Sequence, residues 1–167
     1  VCKISNYLKG LGVSQETKVA IVSNTRPEWL ETDFGILALG GVSVSVYQSL
    51  IAEDIAYILC DAGVEIIFAE NEQQVEKLLK IHQKKHLMPE TEDRKEEERE
   101  LNLKKIISFE KVDTHPLVIS LAEILEKSSA DFEMEDIPRE ALASFVYTSG
   151  TTGPPKGVVQ THHNHLS

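Results

Sequence analysis

Apolar positions along the chain fall into short runs whose spacing keeps changing. Lys18 to Ser23, KVAIVS, is a compact run rich in β-branched side chains, the pattern of a strand covered on both faces. Thr25-Arg26-Pro27-Glu28 follows and predicts a capping box, with Thr25 accepting from the Glu28 amide while the Glu28 carboxylate reaches back. Leu30, Phe34, Leu37 and Ala38 recur at helical spacing, and Gly40-Gly41 is the expected stop. VSVSV, Val42 to Val46, is the next strand. Ile51, Ile55, Ile58, Leu59 and Ala62 outline a further helix closed by Gly63, EIIFA from Glu65 to Ala69 is a third strand, and Val75, Leu78, Leu79 and His82 mark a third helix. Ahead of the first strand, KGLGVSQ predicts a helix C-cap at Gly10 rather than a dinucleotide fingerprint, because its glycines precede the strand.

Strand and helix alternating through short links is the pattern of an α/β fold, a mostly parallel βαβ sheet with helices on both faces. Residues 89 to 100, PETEDRKEEERE, interrupt it: nothing apolar appears, so a solvated loop or frayed helix end inserted between two elements is expected. KKIISF, Lys104 to Phe109, restores a strand, and Leu117 to Leu125 reads as a short helix. A final apolar strand, Ala143 to Tyr147, runs directly into Thr148 to Gly157, TSGTTGPPKG.

Composition narrows the classes. Hydrophobic content of 41% and charged content of 26% are those of a soluble globular chain. A formal net charge of -10 argues against a general nucleic-acid or anionic-membrane surface, though not against a small anion site. Cys2 and Cys60 form no CxxC pair, so a reducing compartment is expected. No apolar run approaches the roughly 20 residues that span a bilayer. The first residues, VCKISNYLKGLGV, lack the features of a signal peptide, and without an initiator methionine the natural protein is expected to extend beyond this chain. The localisation read from these features is cytoplasmic, with peripheral membrane contact left open.

The chemistry sits in TSGTTGPPKG. A polyphosphate needs many donors converging without side-chain bulk. Gly150, Gly153 and Gly157 let the backbone approach closely, Thr148, Ser149, Thr151 and Thr152 add hydroxyls, and Lys156 adds a compact positive charge. Pro154-Pro155 stiffens the segment before the lysine. The Walker A pattern fails, because Pro155 precedes Lys156 and Gly157 stands where a magnesium-binding hydroxyl would be. Beyond Gly157 the chain returns toward a strand. A flexible linker explains neither Pro-Pro-Lys-Gly nor the strand leading in. The histidines His162, His163 and His165 suit a helix start capped by Thr161 better than a metal site. His82 and His86 lack the glutamate of a zinc-protease motif and are expected on a partly solvated helix face.

Tyr147 to Asn164, YTSGTTGPPKGVVQTHHN, resembles the phosphate-loop signature of the AMP-forming acyl-adenylating enzymes, and Lys18 to Gly63, with its NTRPEW segment and Val46-Tyr47, is similar to the long-chain fatty acyl-CoA synthetase branch. The resemblance implies that residues 1–167 are part of a large N-terminal AMP-binding domain, with the C-terminal domain and the later adenine, ribose and magnesium motifs outside this chain. It implies ATP-dependent ligation of a medium- or long-chain fatty acid to coenzyme A through an acyl-adenylate. Lys156 would be the catalytic contact; Thr148, Ser149, Gly150, Thr151, Thr152, Gly153, Lys156 and Gly157 would hold ATP, and magnesium ligands are expected elsewhere. Taken alone, the chain is expected to make no acyl-CoA. An adenylating enzyme for another carboxylic acid, and a non-catalytic nucleotide- or polyphosphate-binding module, remain as alternatives.

Overall fold

A computed structural model describes residues 1–91, 94–113, 115–148 and 154–165. Helix α1 (Cys2–Gly10) leads into β1 (Lys18–Val22), α2 (Pro27–Leu37), β2 (Val42–Val46), α3 (Ala52–Ala62), β3 (Ile66–Ala69) and α4 (Glu72–Ile81). A hairpin of β4 (Lys85–Met88) and β5 (Glu97–Glu100) intervenes before β6 (Lys105–Ser108), β7 (Val118–Ser120) and α5 (Leu121–Lys127). Strands β8 (Leu142–Thr148) and β9 (Lys156–Thr161) and the short α6 (His162–His165) complete the described order. The main sheet has seven strands in the order β7-β6-β3-β1-β2-β8-β9; every pair is parallel except β8 with β9. The α/β expectation holds.

The apolar strand runs have a direct cause. Side chains alternate across a strand, so a strand covered on both faces must be apolar at every position. In β1, Ala20 and Val22 join the core beneath α3 and α4, whereas Val19 and Ile21 join the core beneath α1, α2 and α5. Ile67 and Phe68 of β3 divide the same way, and both are fully buried. Each such side chain contributes about 1.5–3 kcal/mol relative to exposure. Close packing reaches the backbone at Gly35, where a Cβ would stand 2.9 Å from Ile4 Cγ2. Gly63 closes α3 in the left-handed region, at φ 70°, as expected of a helix-ending glycine.

Several local expectations are corrected. The Thr25 capping box does not form. Arg26 is the N-cap of α2, Pro27 occupies the first turn, and the Glu28 carboxylate pairs with Arg26 Nε at 2.8 Å instead of reaching back. Arg26 also pairs with Glu110 at 3.1 Å and lies over the Phe109 ring, tying the loops after β1 and β6 together. The helical stripe of α2 does not face the sheet: Leu30 and Phe34 are exposed, while Thr32, Gly35 and Ile36 are buried. Helix α1 ends at Gly10, but the left-handed residue is Gly12. Leu117 to Leu125 divides into β7 and the start of α5, because Ser120 caps that helix by accepting from the Glu123 amide.

The largest departure is the acidic stretch. Residues 97–100 are a strand, not a loop or a frayed helix, paired antiparallel with β4 so that Lys85 faces Glu100 and His86 faces Arg99. Met88, Leu101 and Leu103 anchor this hairpin to the core below α3 and α4. His86 therefore lies in a strand and shares no helix face with His82, which caps α4 and accepts from the Leu103 amide through Nδ1.

Candidate functional site

Strand β8 carries the chain to the rim of the sheet, buried at Ala143 and Ser144 and alternating only over its last residues. Ala143 and Tyr147 turn inward, and Val146 and Thr148 turn outward. Strand β9 returns antiparallel from Lys156, as the sequence beyond the loop suggested. The register sets Thr148 directly opposite Lys156 and Tyr147 opposite Gly157. Thr148 and Lys156 are both exposed and flank the mouth of the loop, which places a hydroxyl and an ammonium on the same rim. Ser149, Gly150, Thr151, Thr152 and Gly153 lie outside the described residues. Gly157 sits against the Tyr147 ring, where an added Cβ would come within 3.1 Å of the phenol Cζ.

The return strand ends at Thr161, whose hydroxyl accepts from the Asn164 amide at 3.4 Å and donates to the Asn164 side-chain oxygen at 2.9 Å. This is the helix-start role expected for the histidine-rich segment. His163 meets Arg139 at 2.8 Å, and burial followed by the nearby His165 pushes His162 below the usual histidine range.

Beside the rim, at the C-terminal ends of β1, β2 and β8, a cavity of about 190 Å³ is lined by Ser23, Thr25, Trp29, Ser45, Tyr47 and Val146, among others. Open parallel sheets bind ligands at this end of their strands. The sequence reading passed over these residues as binding candidates; the available signal was their position immediately after two predicted strands.

Beneath the loop base lies a polar cluster that sequence reasoning also missed. The Tyr147 hydroxyl donates to Asp61 Oδ2 at 2.8 Å, and Arg94 Nη1 donates to Asp61 Oδ1 at 2.6 Å. The Tyr57 hydroxyl, one turn before Asp61 on α3, donates to the Pro155 carbonyl at 3.2 Å. Burial, and next the Asp61 carboxylate, push the Tyr147 phenol well above its usual range, so it remains a donor at neutral pH. Among the described residues, no group of histidine, cysteine, aspartate and glutamate side chains is arranged to hold a metal ion.

Comparison with known proteins places these features in context. A family profile described as AMP-binding enzyme matches residues 1–167. The long-chain-fatty-acid–CoA ligase ACSBG2 of Homo sapiens is 31% identical over 97% of this chain and 23% of its own length. Long chain acyl-CoA synthetase 3 of Arabidopsis thaliana is also 31% identical, over 98% of this chain and 24% of its own length. The chain thus spans about a quarter of the curated relatives it matches. Among solved structures, the anthranilate CoA ligase AuaEII in complex with anthranoyl-AMP superposes with a TM-score of 0.77 at 25% identity, covering 96% of this chain and 28% of that one. A fatty acyl CoA synthetase of Mycobacterium tuberculosis superposes with a TM-score of 0.72 at 23% identity, covering 96% and 27%, a likeness of fold.

Proposed function

The chain belongs to the AMP-binding enzyme family, and from that premise we propose that it supplies the phosphate-binding part of a fatty acyl-CoA ligase. In the first step a carboxylate oxygen of the fatty acid attacks the α-phosphorus of ATP. The bond to the bridging oxygen breaks and pyrophosphate leaves. In the second, the coenzyme A thiol loses its proton and attacks the acyl carbonyl, forming the thioester and expelling AMP.

The observation that carries this reading is the register of the hairpin. Thr148 and Lys156 face each other across the loop mouth, at the same end of the sheet as the cavity lined by Ser23, Thr25 and Ser45. A polyphosphate drawn into the loop would meet the Lys156 ammonium as charge grows on the departing pyrophosphate. Stabilisation of that kind favours the transition state over the ground state. Ser149, Gly150, Thr151, Thr152, Gly153 and Gly157 would add hydroxyl and backbone donors around the same phosphates. Magnesium, when bound with the nucleotide, would neutralise phosphate charge.

Long-chain substrates are favoured by the curated relatives, which carry that specificity in their names across nearly the whole of this chain. A second reading, activation of an aromatic acid, is favoured by the likeness to the anthranilate CoA ligase. Pyrophosphate release by the full-length protein across a panel of medium- and long-chain fatty acids and anthranilate separates the two. Release with fatty acids alone supports the first reading, release with anthranilate alone supports the second, and none with any acid overturns both.

A further inference from the structure

The acidic stretch is the part of the sequence that the function reading leaves without a role, yet one of its residues reaches the base of the phosphate loop. Arg94 lies in the β4–β5 connection and forms an isolated antiparallel bridge with Thr91. Its guanidinium is largely buried, with the side chain 18% exposed, and it pairs with an Asp61 that is 25% exposed. Guanidinium Nε and Nη2 are buried without a hydrogen-bond partner among the described residues, which leaves Asp61 as its hydrogen-bonded counter-charge. The other Asp61 oxygen accepts from Tyr147, and the Tyr147 ring is the surface on which Gly157 rests. Tyr57 stands beside the same guanidinium and donates to the Pro155 carbonyl, immediately before Lys156.

Resting on the reading proposed above, we infer that Arg94, Asp61, Tyr57 and Tyr147 form a latch that positions the phosphate loop, with the β4–β5 hairpin as its outer arm. The physical argument is one of leverage. Strand β9 lies at the end of the described sheet and is hydrogen-bonded on one side only, to β8. Its exposed Val158 and Val159 give it little apolar anchorage. What fixes Lys156 relative to the sheet is then the pair of contacts that flank it, Pro155 to Tyr57 and Gly157 to Tyr147. Both lead to Asp61 or Arg94. A charged hydrogen bond of this kind holds its geometry better than a neutral one, and removing one partner leaves the other charge uncompensated.

The latch residues are positioning residues, acting on Lys156 through its neighbours Pro155 and Gly157. Amide hydrogen exchange on the full-length protein tests the latch without reference to activity. Replacing Arg94 with glutamine (R94Q) should accelerate exchange of the β9 amides about tenfold, the loss of one charge-assisted hydrogen bond, and leave those of β1 and β3 unchanged. Tyr147→Phe keeps the ring under Gly157 and should give a smaller acceleration at the same amides, while Arg94→Lys should restore part of the protection. Unchanged β9 exchange in both R94Q and Tyr147→Phe, or equal acceleration in every strand, would overturn the latch. In the ligase assay R94Q should raise KM for ATP several-fold and leave KM for the fatty acid unaltered. Equal changes in both constants would overturn the positioning role. If the wild-type protein releases no pyrophosphate with any acid, the function reading falls and the exchange measurements alone decide the latch.

Discussion

Two regions of this molecule are held together by different physics. The centre of the sheet, β3-β1-β2, is covered on both faces, and its side chains interlock with helices above and below. The β8–β9 hairpin, by contrast, carries exposed valines and depends on a handful of polar contacts around Asp61. The centre resists change because any movement opens a cavity. The return strand β9 can move at the cost of a few hydrogen bonds, which is the mobility the proposed exchange of a charged ligand at the loop requires.

The contrast can be broken most sharply at Lys156. Lys156→Ala in the full-length protein should slow pyrophosphate formation by about 10²–10³, the usual cost of removing one charge-stabilising contact. It should leave melting temperature and fatty-acid binding almost untouched. A rate that does not change would remove Lys156 from the chemistry. The reverse pattern is expected at Ile67, fully buried in β3. Ile67→Ala should cost about 2–5 kcal/mol in chemical denaturation through the cavity it leaves. A loss well below that range would mean the core is looser than its burial implies.

Gly157 joins the two regimes. A methyl there meets the Tyr147 ring at 3.1 Å, and Gly157→Ala should cost about 1–3 kcal/mol as an overpacked contact. Because the strain falls on the hairpin, ATP affinity should weaken as well. Loss of stability without loss of ATP affinity would separate the hairpin from the ligand.

The smallest effect concerns Asp33 on α2, whose carboxyl burial pushes above the usual range, opposed in part by Ser43 and His165. A carboxyl raised on folding binds its proton more tightly in the native state, so stability falls as pH rises from the ordinary aspartate value through the raised one. Asp33→Asn should flatten that fall in denaturation curves taken between acid and neutral pH. A difference between wild type and Asp33→Asn that rises over the same interval would reverse the assignment.

How much of this was legible depends on distance along the chain. The runs KVAIVS, VSVSV and EIIFA announced β1, β2 and β3 because burial on both faces writes itself into consecutive residues. The return to a strand after TSGTTGPPKG was legible for the same local reason. The capping box failed because Arg26, inside the motif itself, takes the Glu28 carboxylate and the N-cap position ahead of Pro27. The acidic hairpin was hidden because its anchors, Met88, Leu101 and Leu103, lie just outside the charged run. Arg94 could not be recognised at all, since the carboxylate it pairs with is Asp61 on α3, far away along the chain. Polar clusters between distant segments leave no periodicity to read.

Because Thr148 and Lys156 are directly opposed on neighbouring strands, the two sides of the hairpin cannot slide along each other without changing partners all the way down. A slip of one residue would carry Lys156 off the rim and turn its side chain to the opposite face of the sheet. Strand pairing thus fixes the height of the lysine and the side it faces in a single stroke.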